Sequence, residues 1–244
     1  WVPCDPFPGS ITADKYDRLI KLVRDGNMNC LRSWGGGIYE PEAFWKACDK
    51  YGVMITQDFL MACACYPESD PDFMDQLRAE FPKAIKMLRN HPSLILWAGD
   101  NELAMNHDFD DPNSCGKKVA DEISGPLCKE MDPSRQFSPT SPFGGRPNNC
   151  QTVGDVHLSA WYDPSFVTAN MDEYRFKIQD SIGRFISESA VPGAPPMRSL
   201  LKFMSPEDIA DPEGTMWNYH TKDNPYNGID DPYMTHYRML EHTA

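Results

Sequence analysis

Two glutamates stand where paired acid chemistry is possible. Glu102 closes the stretch HPSLILWAGDNE, residues 91–102, in which a mostly apolar run from Leu94 to Ala98 gives way at once to Gly99, Asp100, Asn101 and Glu102. Glu188 follows a second apolar run, Phe185-Ile186-Ser187. Two carboxylates across one cavity are what glycoside hydrolysis needs: one protonates the departing oxygen and the other attacks the sugar or activates water. The two roles require pKa values that are pushed apart. Trp97, near Glu102, predicts a partial desolvation that raises its pKa, while Ser187 and Ser189 predict hydrogen bonds that keep Glu188 ionised. For each glutamate taken singly, a bond to loop amides or to an arginine is the ordinary alternative.

Other polar and aromatic residues fall at the ends of apolar runs: Arg32, Trp34, Asp58, Asn101, His157 and Trp161. Arg32 beside strand-end acids lowers their pKa values. Asp58 either holds a sugar hydroxyl or pairs with Arg32. His157 is either a ligand contact or a satisfied structural histidine. Trp34, Trp161 and Trp217 suit the apolar face of a sugar ring, with core or rim packing as the alternative.

These residues need a frame that brings strand ends together. Strand-like and helix-like runs alternate along the chain. A helix is expected from Ser10–Asp14 to about Arg24, with Leu19, Ile20, Leu22 and Val23 on its apolar side, and Gly26 ends it. Strands are expected at Asn29–Trp34, Val53–Leu60, Leu94–Gly99, Phe137–Ser141, Val156–Trp161 and Arg184–Ser187. Between them lie helical patterns from Pro41 to Tyr51, Asp70 to Arg89 and Ser114 to Met131. Apolar strands alternating with helices mean a parallel sheet covered by helices, and six or seven such strands favour a (β/α)8 barrel, an α/β fold. In that fold, catalytic groups sit at the C-terminal ends of the strands. No GxGxxG supports a dinucleotide fold. After Ser187 only helices are evident, Met197–Met204 and Asp230–His242, so the barrel is expected to lack its eighth strand.

The chain has 244 residues, a net charge of −13 and 22 prolines. Without a basic cluster it is a poor match for nucleic acid or an anionic membrane, and it suits a neutral carbohydrate substrate. No apolar run approaches the ~20 residues that span a bilayer. The eight cysteines are scattered, and most are read as small core residues. Without HExxH or paired CxxC, neither a metal site nor a cofactor is expected. The chain begins at Trp1 and is expected to be an excised piece of a longer protein. Its compartment is unreadable; periplasmic, secreted and lysosome-like settings all suit such a parent.

The stretches RSWGGGIYEPEAFWKACDKYGVMITQDF, ACACYP, HPSLILWAGDNE, SRQFSPTSP, GDVH and FISES resemble, in order and spacing, the catalytic domain of glycoside hydrolase family 2, most of all its β-mannosidases. The resemblance covers nearly the whole chain. It implies a retaining exo-glycosidase with Glu102 as acid/base and Glu188, after strand seven, as nucleophile. It implies that Asn101 bonds the sugar 2-hydroxyl and that Arg32, Trp34, Asp58 and His157 occupy subsite positions. It also implies flanking β-sandwich domains, absent here. Ser189-Ala190-Val191-Pro192-Gly193 replaces the mannosidases' Gly-aromatic run and is similar to the exo-β-glucosaminidases, which carry Asp where this chain has Glu102. The alternatives are therefore an exo-β-glucosaminidase, a β-galactosidase-like or glucuronidase activity, or a non-catalytic carbohydrate-binding barrel. A glucuronidase needs a basic pocket, for which only Arg32 and Arg146 are candidates.

Overall fold

In a computed structural model, residues 1–2, 4–5, 7–158, 183–189, 195–211 and 214–221 are described. The chain divides into two compact units, one of Trp1–His157 with Gly183–Ser187 and the other of Leu158–Ile182 with Glu188–Ala244.

The first unit is built on β1 (Cys30–Ser33), β2 (Met54–Asp58), β3 (Leu94–Ala98) and β4 (Gln136–Ser138). They pair in that order, all parallel, in one four-stranded sheet. A two-stranded sheet joins β5 (Asp155–Leu158) and β6 (Phe185–Ser189). Six strands are thus present among the described residues, against the seven that the family resemblance implies. The strand expected to reach Trp161 is described as far as Leu158; Trp161 and the expected helix Asp230–His242 lie outside the described residues.

Helices connect the parallel strands as expected. α1 (Ala13–Asp25) starts where the Thr12 hydroxyl accepts from the Lys15 amide, satisfying one of the helix's open donors. Its buried face is Tyr16, Ile20 and Val23, spaced four and three residues apart. Leu22, expected on that face, is instead exposed, because it lies about 100° from Val23 around the helix. Ser10, read as part of the helix start, ends a separate 3-10 turn, Pro8–Ser10. α2 (Glu42–Tyr51) stops at Gly52, whose φ of +71° supplies the left-handed cap. α3 (Pro71–Leu88) begins with Asp70 as its cap and Pro71 in its first turn, where no amide bond is lost. The helical run expected from Ser114 starts later and is uneven: α4 (Lys117–Val119), a π-turn at Ala120–Ser124, then α5 (Gly125–Met131).

The core lies between sheet and helices. Phe59 stacks on Phe81 of α3 at 4.2 Å and on Trp97 of β3 at 5.3 Å. All three are fully buried. The Trp97 indole N–H is satisfied by Asp132 Oδ2 at 2.9 Å. Strand alternation then puts its neighbours Leu96 and Ala98 on the opposite face, where they line a cavity of about 260 Å³.

The segment after β3 is fixed by Asp100. Its Oδ1 accepts from Thr140 Oγ1 at 2.5 Å and from the Leu103 amide at 3.2 Å. Gly116 leaves room for the other oxygen: its φ is +81°, and a Cβ there would stand 2.6 Å from Asp100 Oδ2. Burial pushes the Asp100 pKa up to about 8, against the pull of the Thr140 and Leu103 hydrogen bonds.

The cysteines divide. Cys48 and Cys128 are buried as expected, and burial pushes both thiols up to about 12. Cys65 and Cys115, by contrast, form a disulfide with Cα atoms 5.2 Å apart, and Cys63 is exposed. The bridge closes 50 residues, which on chain-entropy grounds stabilises the fold by about 4 kcal/mol. It ties the loop after β2 to the start of α4, where Glu68 also accepts from the Gly116 and Val119 amides at 2.6 and 3.1 Å. In the second unit, α6 (Met197–Leu200), α7 (Pro206–Ala210) and α8 (Thr215–Thr221) surround Leu200, Met204 and Trp217. Trp217 is therefore a core residue of that unit, the second of the two roles expected for it.

Two outcomes follow. Phe59→Ala removes the middle of the aromatic stack and is expected to cost about 3–5 kcal/mol in urea unfolding; a loss under about 1 kcal/mol contradicts this packing. The Asp100 pKa is 3.8 in the open chain and about 8 in the fold, so the stability its neutral form confers is complete below pH 3.8 and lost as pH rises through about 8. Asp100→Asn keeps the accepting oxygen without the titration. Its melting temperature should therefore gain on the wild type between about pH 4 and pH 8, and a constant difference contradicts the burial argument.

Candidate active site

Beyond β3 the chain makes isolated parallel bridges, Ala62 to Asn101 and Asn101 to Ser141. These extend the sheet's hydrogen bonding past its strands and leave Glu102 in a left-handed conformation, φ +64°. For a residue with a side chain this costs on the order of 1 kcal/mol. It is held by the Glu102 amide donating to Ser141 O at 2.7 Å. Cys63 is left-handed as well, φ +55°, and its amide donates to Asn101 O at 2.9 Å.

The Glu102 side chain is 23% exposed, open enough to meet a ligand. Its Oε1 lies 2.7 Å from His157 Nδ1, and its Oε2 accepts from the Cys63 thiol at 3.6 Å. The His157 hydrogen bond holds the Glu102 carboxyl below its usual range, with burial opposing and Cys63 and Arg32 adding to the drop. This reverses the expectation of a raised pKa. Trp97, the expected source of desolvation, faces the helices, and a buried histidine that the spacing did not reveal takes its place beside the acid.

Asn101 is buried, with both ends of its amide bonded. Oδ1 accepts from Arg32 Nη2 at 2.8 Å and Nδ2 donates to Cys63 Sγ at 3.2 Å. Arg32 also grips Asp58, Nε to Oδ1 at 3.2 Å and Nη2 to Oδ2 at 2.7 Å. Asp58 accepts from the Gly35 amide too, at 3.0 Å. Burial pushes the Asp58 pKa up to about 6 even against the adjacent guanidinium. Of the two roles expected for Asp58, pairing with Arg32 is the one present. Arg146, the other candidate cation for a basic pocket, is exposed and paired with Asp108 and Asp110. Trp34 is half-buried, its indole lying where any side chain on Gly36 would stand; this gives one reason for glycine in the GGG turn.

His157 is nearly inaccessible, at 2% exposure. Its Nε2 is 3.1 Å from Ser141 Oγ, which donates to Asp155 Oδ2 at 2.7 Å. Asp155 also accepts from Ser187 Oγ at 2.5 Å and from the Phe143 amide at 2.5 Å. Ser141, Asp155 and Ser187 line the same cavity as Arg32 and Asp58; Glu102 and His157 do not line it and are linked to it through the His157–Ser141 contact. Glu188 is the half-buried fourth residue of β6, directly after Ser187. Sequence reasoning missed Cys63, Ser141 and Asp155 as members of this site. Each nevertheless stood within a quoted stretch, ACACYP, SRQFSPTSP or GDVH.

No family model matches the chain. It is 31% identical over 240 residues to Beta-mannosidase B of Aspergillus clavatus, covering 91% of this chain and 27% of that protein. It is 33% identical over 246 residues to Beta-mannosidase of Capra hircus, covering 91% of this chain and 25% of that one. The crystal structure of Beta-D-Mannosidase from Dictyoglomus thermophilum superposes with a TM-score of 0.79 at 31% identity, over 99% of this chain and 30% of that one. The chain thus spans about a quarter of the length of the curated relatives it matches. With sequence and fold agreeing over nearly its whole length, the chain belongs to glycoside hydrolase family 2 as a β-mannosidase-like domain.

Proposed function

We propose that this chain is the catalytic part of a longer retaining exo-β-glycosidase that removes terminal β-linked mannose, and that its strands belong to a (β/α)8 barrel completed, and flanked by further domains, in the parent protein. The observation that carries the reading is Glu102: a partly open carboxylate at the end of a buried parallel strand, gripped by His157, in a chain similar to β-mannosidases along 91% of its length.

In this reading the Glu188 carboxylate attacks the anomeric carbon as the bond to the leaving oxygen breaks, and the proton held at Glu102 goes to that oxygen. Water then attacks the anomeric carbon of the glycosyl-enzyme, its proton returns to Glu102, and the Glu188 carboxylate is released. Retention requires the two carboxyls to be about 5–5.5 Å apart. Asn101, set by Arg32 and Cys63, presents its amide to the sugar 2-hydroxyl. Arg32 and Asp58 sit behind it, and Trp34 and Trp161 offer apolar faces to the ring. A second reading, hydrolysis of an amino sugar, is favoured by the Ser189-Ala190-Val191-Pro192-Gly193 segment.

Aryl β-mannoside, β-glucosaminide and β-galactoside assayed with the complete protein separate these readings. Cleavage of β-mannoside alone is expected; cleavage of another sugar in its place moves the substrate but keeps the mechanism, and no release from any of the three rejects the enzyme. Glu188→Ala should lose turnover by several orders of magnitude and regain it with azide, giving the inverted glycosyl azide. Glu102→Ala should keep the first step for leaving groups that need little protonation. Equal loss in both variants with no azide rescue contradicts the assigned roles.

A further inference from the structure

The cluster behind Glu102 contains more ordered chemistry than a simple hydrogen bond to histidine requires. Ser141 Oγ has one hydrogen and three polar neighbours: Asp155 Oδ2 at 2.7 Å, His157 Nε2 at 3.1 Å and Ser187 Oγ at 3.2 Å. The carboxylate is both the closest and the charged acceptor, and charge-assisted bonds are the stronger ones. Ser187 turns its own hydrogen to the same Asp155 oxygen. With its hydrogen committed, Ser141 Oγ can meet His157 Nε2 only as an acceptor, so Nε2 carries a hydrogen. Nδ1 then faces Glu102 Oε1 at 2.7 Å. A bare ring lone pair against a bare carboxylate oxygen at that distance is repulsive, so a proton lies between them.

We infer that Asp155 and Ser141 are positioning residues that lock His157 as its Nε2–H tautomer, and that the proton used in catalysis is held jointly by His157 Nδ1 and Glu102. The inference rests on the acid/base role proposed for Glu102. Neutral acid beside neutral imidazole and carboxylate beside imidazolium are two forms of one singly protonated pair, and the titration belongs to the pair. This reconciles a carboxyl held low by its histidine with a role as proton donor. As the glycosidic bond breaks, the leaving oxygen takes the pair's proton, leaving neutral imidazole and carboxylate; the incoming water returns a proton in the second step. The tautomer lock raises the proton affinity of the pair, since the unprotonated pair has nowhere to place a stabilising hydrogen.

Among the described residues, Arg32 from β1, which favours the carboxylate, and the Cys63 thiol from the loop after β2 also face the pair. Asp58 from β2 acts on His157. Nε2 is met by Ser141 and, through it, by Asp155.

Ser141→Ala and Asp155→Asn test this in the complete protein. Asp155→Asn supplies an amide that can donate to Ser141 and turn the serine's hydrogen toward Nε2, whereas Ser141→Ala removes the acceptor. Either change lets His157 carry its hydrogen on Nδ1 and donate to an ionised Glu102, so the pair loses its catalytic proton at lower pH. The basic limb of kcat/KM should move down by about one pH unit, with about tenfold lower kcat/KM above it than the wild type has at the same pH. Nitrogen-15 spectra of His157, assigned with His157→Gln, should show hydrogen on Nε2 in the wild type and on Nδ1 in the variants at high pH. If Ser141→Ala does not fold, Asp155→Asn carries both readouts. A basic limb that stays in place or moves up, or a wild-type His157 with hydrogen on Nδ1 alone at high pH, overturns the inference. The nitrogen spectrum needs no turnover, so a protein that cleaves no glycoside refutes the proposed function while the tautomer is still decided.

Discussion

The hydrogen bond between Glu102 and His157 organises the site, and much of the first unit serves to make it. Glu102 must leave the sheet in a left-handed turn, which is unfavourable for a residue with a side chain. The turn is held because Asp100, one of its neighbours, is buried and bonded to Thr140 and Leu103, and because Gly116 has no side chain to displace it. On the other side His157 is fixed at both ring nitrogens and at its amide, which donates to Asn149 Oδ1 at 2.8 Å. For the acid/base role proposed for Glu102, being held from both sides limits the orientation lost on reaction, and this is where a rigid parallel sheet serves the proposed chemistry.

A second set of bonds runs around the site rather than behind it. Arg32, Asp58, Asn101 and Cys63 form one connected group across β1, β2 and the segments that follow β2 and β3. The guanidinium lets the buried Asp58 be present at all, since an unpaired charge there would be costly. Cys63 touches both Asn101 and Glu102 and is carried on the loop stapled by Cys65–Cys115. The staple therefore secures the geometry of two groups that the proposed reaction uses.

Much of this was legible in the sequence, and for physical reasons. Apolar runs that end abruptly in Asn-Glu or Ser-Glu mark strand ends, because a buried strand tolerates such groups only where it emerges. Asn101, Glu102, Arg32 and Asp58 were found that way. The pairing of Arg32 with Asp58 remained one of two options, because side-chain partners are set by register between strands, which spacing along one strand does not reveal. The Glu102 environment was misread for the same reason. Trp97 is close to Glu102 in sequence but faces the helices, whereas His157 is 55 residues away and makes the bond. Leu22 shows the limit of counting apolar residues on a helix without knowing which arc is covered. The Cys65–Cys115 bridge could not be chosen among eight cysteines by spacing.

The account stands on two acids acting on one sugar, with Glu188 forming the bond and Glu102 handling the proton. Treating the complete protein with a 2-deoxy-2-fluoro-β-mannosyl fluoride, which slows release of the glycosyl-enzyme, and sequencing the labelled peptide by mass spectrometry tests this most directly. The account predicts a single fluorosugar ester on Glu188 and none on Glu102. A label on Glu102, on another side chain, or on none while the reagent is turned over with inversion would contradict it.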